Sequence, residues 1–276
     1  MLPGCNVVAG PYRSSPLAKP AVDRLLSSEE LLQKEAVVEL SSLGEHAMPE
    51  LVARFAEASV SSRIQILNLA ITIREPGALV AEVFALAAAD EDATVRFAAA
   101  SSATKLPEYA DLLSPVMQTL LSDPLGDIRA TALATLGGFP GYPRPEASEL
   151  LGLLKDRDAI VAATASNLAL KRREPYVQAA ARATLPRLIG ALRAPQPSTR
   201  AACLLAIGQF GVDASPAVAP ISNVLKSDPV PEVRLQAALA LRRIGTPAAL
   251  TLATKYLDEF KKHPDPVISK AAKAAL

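Results

Sequence analysis

The chain has 276 residues, half of them hydrophobic but only 4% aromatic and none Trp, and an apolar mass made mostly of Ala, Leu, Val and Ile suits thin helical layers better than one thick core. Its 23 Pro exclude long uninterrupted helices, and no stretch reaches the ~18–20 apolar residues that a membrane-spanning helix needs. The net charge of +1 conceals a division: residues 1–150 hold 11 Lys and Arg against 19 Asp and Glu, and residues 151–276 hold 18 against 9, so an acidic part precedes a basic one.

Residues 1–16, MLPGCNVVAGPYRSSP, are rich in Pro, Gly and Ser and are predicted to form a mobile arm ahead of a folded region at 17–276. Within the arm, Leu2-Pro3-Gly4-Cys5 resembles the end of a bacterial lipobox, which would make Cys5 a lipid anchor. No basic or apolar leader precedes it. Either the match is accidental and the chain is cytoplasmic, or an upstream signal is missing and the protein is an envelope lipoprotein.

From there the chain repeats itself. Leu32 leads Ala36, Leu40 and Leu43, closed by Gly44, and Arg63 precedes Ile66, Ala70 and Ile73. Val95-Arg96 leads Ala99, Ala103 and Leu106, and Ile128-Arg129 leads Ala132, Leu136 and Phe139. A looser copy runs through 159–171. Arg200 precedes Cys203, Ile207 and Phe210, Val233-Arg234 leads Ala237, Leu241 and Ile244, and Ile268 leads Ala272. Each set falls on one helical face. The starts fall near positions 32, 62, 95, 128, 160, 199, 233 and 268, a period in the range that signals stacked repeats. Two further columns keep the register: Pro49, Pro115, Pro186 and Pro220 in the preceding helix, and Asp90, Asp123 and Asp228 at the turn between helices.

A first helix with Pro, an Asp-Pro turn, and a second helix opening on Val-Arg and continuing through Ala and Leu resembles the HEAT repeat, over about Pro20 to Leu276. It is also similar to the short bacterial subclass that includes phycobilisome-lyase-type repeats. The resemblance implies an all-α fold, an armadillo-like α-solenoid of about eight stacked helix pairs, with the second helices on the concave side. One pair cannot bury its own apolar faces, and stacking buries them. The Asp90, Asp123 and Asp228 column and the Arg96, Arg129, Arg200 and Arg234 column are expected to form a ladder between adjacent turns.

Candidate binding residues lie where the repeat fails. The longest spacing, between the fifth and sixth copies, reads LKRREPYVQAAARATLPRLIGALR and carries Lys171, Arg172, Arg173, Arg182, Arg187 and Arg193. It is read either as a solvated face or as a docking site for an acidic partner. Tyr109, Tyr142 and Tyr176 sit beside Pro at three successive turns, and serve either to cap helix pairs or as an exposed ridge of a residue favoured at interfaces.

Catalytic chemistry has little to work with. His46 and His263 belong to the first and last parts of the repeated region, too far apart along a solenoid to share a metal or a triad. Cys203 shares the column of Ala237 and is expected in the core. The final copy is expected to present Lys261, Lys262, Lys270 and Lys273 as a polar outer face. The expectation is a non-enzymatic protein-binding scaffold without cofactor or membrane span, able to self-associate through its charge division. The alternatives are a lyase-like or chaperone-like accessory to a pigment or enzyme, suggested by the repeat subclass, and anion or nucleic-acid binding through the basic part. The acidic part and the lack of Trp argue against a nucleic-acid track.

Overall fold

The computed structural model describes residues 13–73, 77–139 and 145–276; Cys5 and Tyr142 lie outside them. Among these residues every regular element is helical, and the chain divides into two compact units, Met1–Tyr142 and Pro143–Leu276. Each unit is an α-solenoid of four helix pairs.

In the first unit the pairs are α1 (Ala18–Leu25) with α2 (Glu30–Leu43), α3 (Met48–Arg54) with α4 (Val60–Thr72), α5 (Leu79–Ala88) with α6 (Ala93–Ser102), and α7 (Ala110–Leu120) with α8 (Gly126–Gly138). The second helices pack in the order α2, α4, α6, α8 and the first helices in the order α1, α3, α5, α7, so contacts run between sequence neighbours. The apolar periodicity fills the space between them. Ala36, Leu40, Ile66, Ala70, Val95, Ala99, Ala132 and Leu136 are all buried, with Leu51, Phe84 and Met117 contributed by the first helices. Ser59 and Asp92 accept hydrogen bonds from the otherwise unpaired N–H groups that open α4 and α6, from Ser62 at 3.2 Å and from Thr94 at 2.7 Å.

The second unit follows the same plan with one departure. Its helices are α9 (Ala147–Leu153), α10 (Ala159–Ala169), α11 (Pro175–Arg182), α12 (Leu185–Gly190), α13 (Pro197–Gln209), α14 (Val218–Ser227), α15 (Pro231–Ile244), α16 (Pro247–Phe260) and α17 (Pro266–Ala274). The second helices α10, α13, α15 and α17 pack in that order. The first helix of the sixth pair is broken into α11 and α12, so among the described residues the eight pairs use seventeen helices rather than sixteen. The break has a physical cause. Pro186 has no N–H to continue a helix from α11, and Thr184 at the junction turns its hydroxyl inward, to Ala181 O at 2.7 Å and to the Ser166 hydroxyl at 2.9 Å.

Two glycines are required here. Gly245 ends α15 at φ +76°, a left-handed conformation that a side chain disfavours. Gly208 lets α13 approach α15 so closely that a Cβ would lie 3.2 Å from the Ala240 Cα and 3.3 Å from the Arg243 Cδ.

Candidate functional site

The turns between paired helices follow one rule. The turn leaves backbone carbonyls without partners, and an arginine in the first turn of the second helix folds back onto them. Arg96 donates to Asp90 O at 3.0 Å and Glu91 O at 2.9 Å, Arg129 to Asp123 O at 2.7 Å and Pro124 O at 3.1 Å, Arg200 to Ala194 O at 2.8 Å and Pro195 O at 3.0 Å, and Arg234 to Asp228 O at 2.7 Å. The other edge of the guanidinium reaches forward to the aspartate of the next turn. Arg63 meets both oxygens of Asp90 at 2.9 Å, Arg96 meets Asp123 at 2.6 Å, and Arg200 meets Asp228 at 2.7 and 2.8 Å. Each aspartate also accepts the N–H two residues on, at Asp92, Leu125 and Val230. The expected ladder is therefore present, in Arg63–Asp90 and Arg96–Asp123 of the first unit and Arg200–Asp228 of the second. Burial pushes the Asp228 carboxyl up, but the bonds from Arg200 and the Val230 N–H outweigh it and hold the group below its ordinary value.

The ladder is interrupted between the fifth and sixth pairs. Ala162 stands where the arginine would be and Ala194 where the aspartate would be. The carbonyls that an arginine at 162 would cover, Asp156 O and Arg157 O, instead accept the guanidinium of Arg187, which comes from α12 of the next pair.

The basic run thus separates into two groups. Arg187 is spent on the neighbouring turn. Arg172 is clamped at the entry to α11, donating to Glu174 at 2.7 and 3.2 Å and to Pro145 O at 3.3 Å. Those bonds hold the Glu174 carboxyl below its usual value. Arg182 pairs with Asp213 at 3.1 Å, both exposed. Lys171, Arg173 and Arg193 are exposed and form no ion pair with the described residues. Helix α11 buries Val177 and Ala181 and leaves Tyr176, Ala179 and Arg182 outward, one stripe at helical spacing. Tyr176 is 59% exposed. Lys171, Arg172, Arg173, Tyr176 and Arg182 therefore collect on α11 and its entry. Tyr109 is half-buried on a 3₁₀ turn of the first unit.

Arg187 and Ala162 have places in the ladder that the sequence expectations do not include. The signal was present: Ala162 and Ala194 depart from their two columns together.

Cys203 lies in the core as expected, fully buried on α13, and burial pushes its thiol up to about 12 against a small opposing pull from the Arg187 charge. A thiol so held is a poor nucleophile. In a Cys5→Ser background, Cys203 should stay unmodified by an aromatic disulfide reagent in the folded protein and react fully in denaturant. Rapid labelling under native conditions would contradict that placement.

Among the described residues no three His, Cys, Asp or Glu side chains gather as metal ligands, and no helix is long and apolar enough to cross a membrane.

Residues 185–276 match the family model of HEAT repeats. No curated protein is matched by this sequence. Among solved structures, the YibA protein of E. coli aligns with 93% of this chain and 91% of its own at 16% identity and a TM-score of 0.53. Human deoxyhypusine hydroxylase in complex with glycerol aligns over 94% of both chains at 17% identity and a TM-score of 0.38. The likeness to YibA is one of fold, and the overlay on the hydroxylase is too loose to carry an argument about chemistry.

Proposed function

We propose that this chain, whose residues 185–276 match the HEAT-repeat model, is a non-enzymatic protein-binding scaffold, and that an acidic protein docks on α11. One observation carries this reading: the interruption of the repeat exposes Tyr176 beside Lys171 and Arg173, two cations that no carboxylate among the described residues neutralises. Tyr supplies contact area at little conformational cost and is enriched in interface hot spots. The surrounding unit, 143–276, holds 19 Lys and Arg against 11 Asp and Glu, a field that draws acidic partners to it.

Lys171→Glu and Arg173→Glu together should weaken partner binding about tenfold at low salt, mainly through the association rate, with little change in thermal stability. Tyr176→Ala should weaken it by a further factor of at least five, chiefly by faster dissociation. A pull-down at 50 and 300 mM salt followed by a binding titration with the recovered partner measures both. A partner that binds the triple variant as well as the wild type removes α11 from the reading.

A further inference from the structure

Between the seventh and eighth pairs the ladder has an arginine without an aspartate. By register, Arg234 should reach forward to residue 263, and that residue is His263. The local geometry establishes the equivalence. In the regular turns Asp90, Asp123 and Asp228 accept the N–H of the residue two positions on, and here the His263 Nδ1 accepts the N–H of Asp265 at 3.1 Å. A histidine can perform that half of the aspartate's task but not the other half. With Nδ1 committed as an acceptor, the neutral ring carries its proton on Nε2 and can only donate there. The protonated ring is a cation. In neither state does His263 offer the guanidinium an acceptor.

Arg234 is half-buried, donates to Asp228 O, and forms no ion pair with the described residues. Glu232 lies two residues earlier on the same helix, a spacing that turns it to a different side. Asp265 caps its own helix through Val267 and Ile268, and Asp258 pairs with Lys261. The neighbouring exposed Lys262 and Lys270 add positive charge.

We infer that this open rung is a carboxylate-binding site, completed by an Asp or Glu side chain from an acidic protein. The incoming carboxylate takes the place that Asp90, Asp123 and Asp228 occupy in the closed rungs, accepting from the Arg234 guanidinium and from the His263 Nε2–H. The source of that carboxylate rests on the reading of an acidic protein partner, and the site is separate in sequence from α11.

The test uses the Lys171→Glu, Arg173→Glu, Tyr176→Ala background, in which docking on α11 is already disabled, so the two readings fail independently. A fluorescent hexaglutamate peptide is titrated by anisotropy, while the Arg234 Nε–Hε resonance is followed in ¹⁵N-arginine-labelled protein. The expected result is saturable binding with a shift of the Arg234 resonance. His263→Asp, which closes the rung from within, and Arg234→Gln, which removes the guanidinium and leaves the turn intact, should each weaken the peptide at least tenfold. Absence of an Arg234 shift, an equal shift with sodium chloride at matched ionic strength, or undiminished affinity in either variant overturns the assignment.

Discussion

Arg200→Ala should lower the stability of the second unit by about 3–5 kcal/mol, the usual cost of breaking a buried ion pair on one side. The side chains of Arg200 and Asp228 are only 9% and 4% exposed, so the substitution strands a carboxylate away from water and uncovers the carbonyls of Ala194 and Pro195 as well. Asp228→Asn should be milder, because an amide oxygen facing the turn still accepts the Val230 N–H and Arg200 keeps its bonds to the Ala194 and Pro195 carbonyls, although it loses its counter-charge. The two substitutions together should cost less than their sum, since they share one interaction. The pair also sets an acid limit. The folded-state pKa of Asp228 is depressed, so its contribution is fully present above the unfolded carboxylate value of about 3.9 and is lost as pH falls through the lower folded value. Urea titrations between pH 7 and pH 2.5 should show this acid loss in the wild type and a shallower one in Asp228→Asn. Equal acid loss in both would show that the rung is not the titrating element.

The second large effect belongs to Arg187. Arg187→Ala removes the guanidinium from the half-buried Asp156 carbonyl and from the exposed Arg157 carbonyl, at ~1–3 kcal/mol for the buried group and under ~1 kcal/mol where water can take its place, or about 1–4 kcal/mol together. The distinguishing result is rescue. Ala162 occupies the ladder position from which Arg129 and Arg200 cover their own turns in the neighbouring pairs. Adding Ala162→Arg to Arg187→Ala should therefore recover at least half of the loss, and Ala194→Asp, which supplies the matching carboxylate, should recover more. Denaturant midpoints of the wild type and the three variants measure this. If Ala162→Arg only adds to the damage, Arg187 does something other than stand in for a missing rung.

How much of this was legible in the sequence follows from what each residue pairs with. The columns of Pro, Asp and Val-Arg were readable because each rung joins fixed positions of two adjacent repeats, 27 residues apart in Arg63–Asp90 and 28 in Arg200–Asp228, so its residues recur with the repeat. The helix-pair stack followed, since Ala36, Ala70, Ala99, Ala132, Ala237 and Ala272 recur on the face that must be buried. The basic run resisted the same treatment. Lys171, Arg172 and Arg173 are consecutive and chemically alike, yet Arg172 is tied to Glu174 and Pro145 while its neighbours are exposed. Glu174 lies within three residues of all three, and the run itself does not show that Arg172 is the one that reaches both it and the Pro145 carbonyl. Arg187 finds its acceptors one repeat back, at Asp156 and Arg157, against the forward direction of the ladder. Tyr109 and Tyr176 follow the same Pro-Tyr logic in sequence, but one closes a 3₁₀ turn and is half-buried while the other opens a helix and is exposed. The break between α11 and α12 was only partly legible: Pro186 marks it in the sequence, but Pro115 of the same column sits inside the unbroken α7, and it is the buried Ser166–Thr184 contact that places the junction.

Hydrogen exchange of the full chain, with and without the partner recovered at low salt, tests the proposed docking on α11 most directly. The expected footprint is slowed exchange across residues 171–182, lost when Lys171, Arg173 and Tyr176 are replaced together. Slowed exchange confined to the first unit, with 171–182 unchanged, would contradict it.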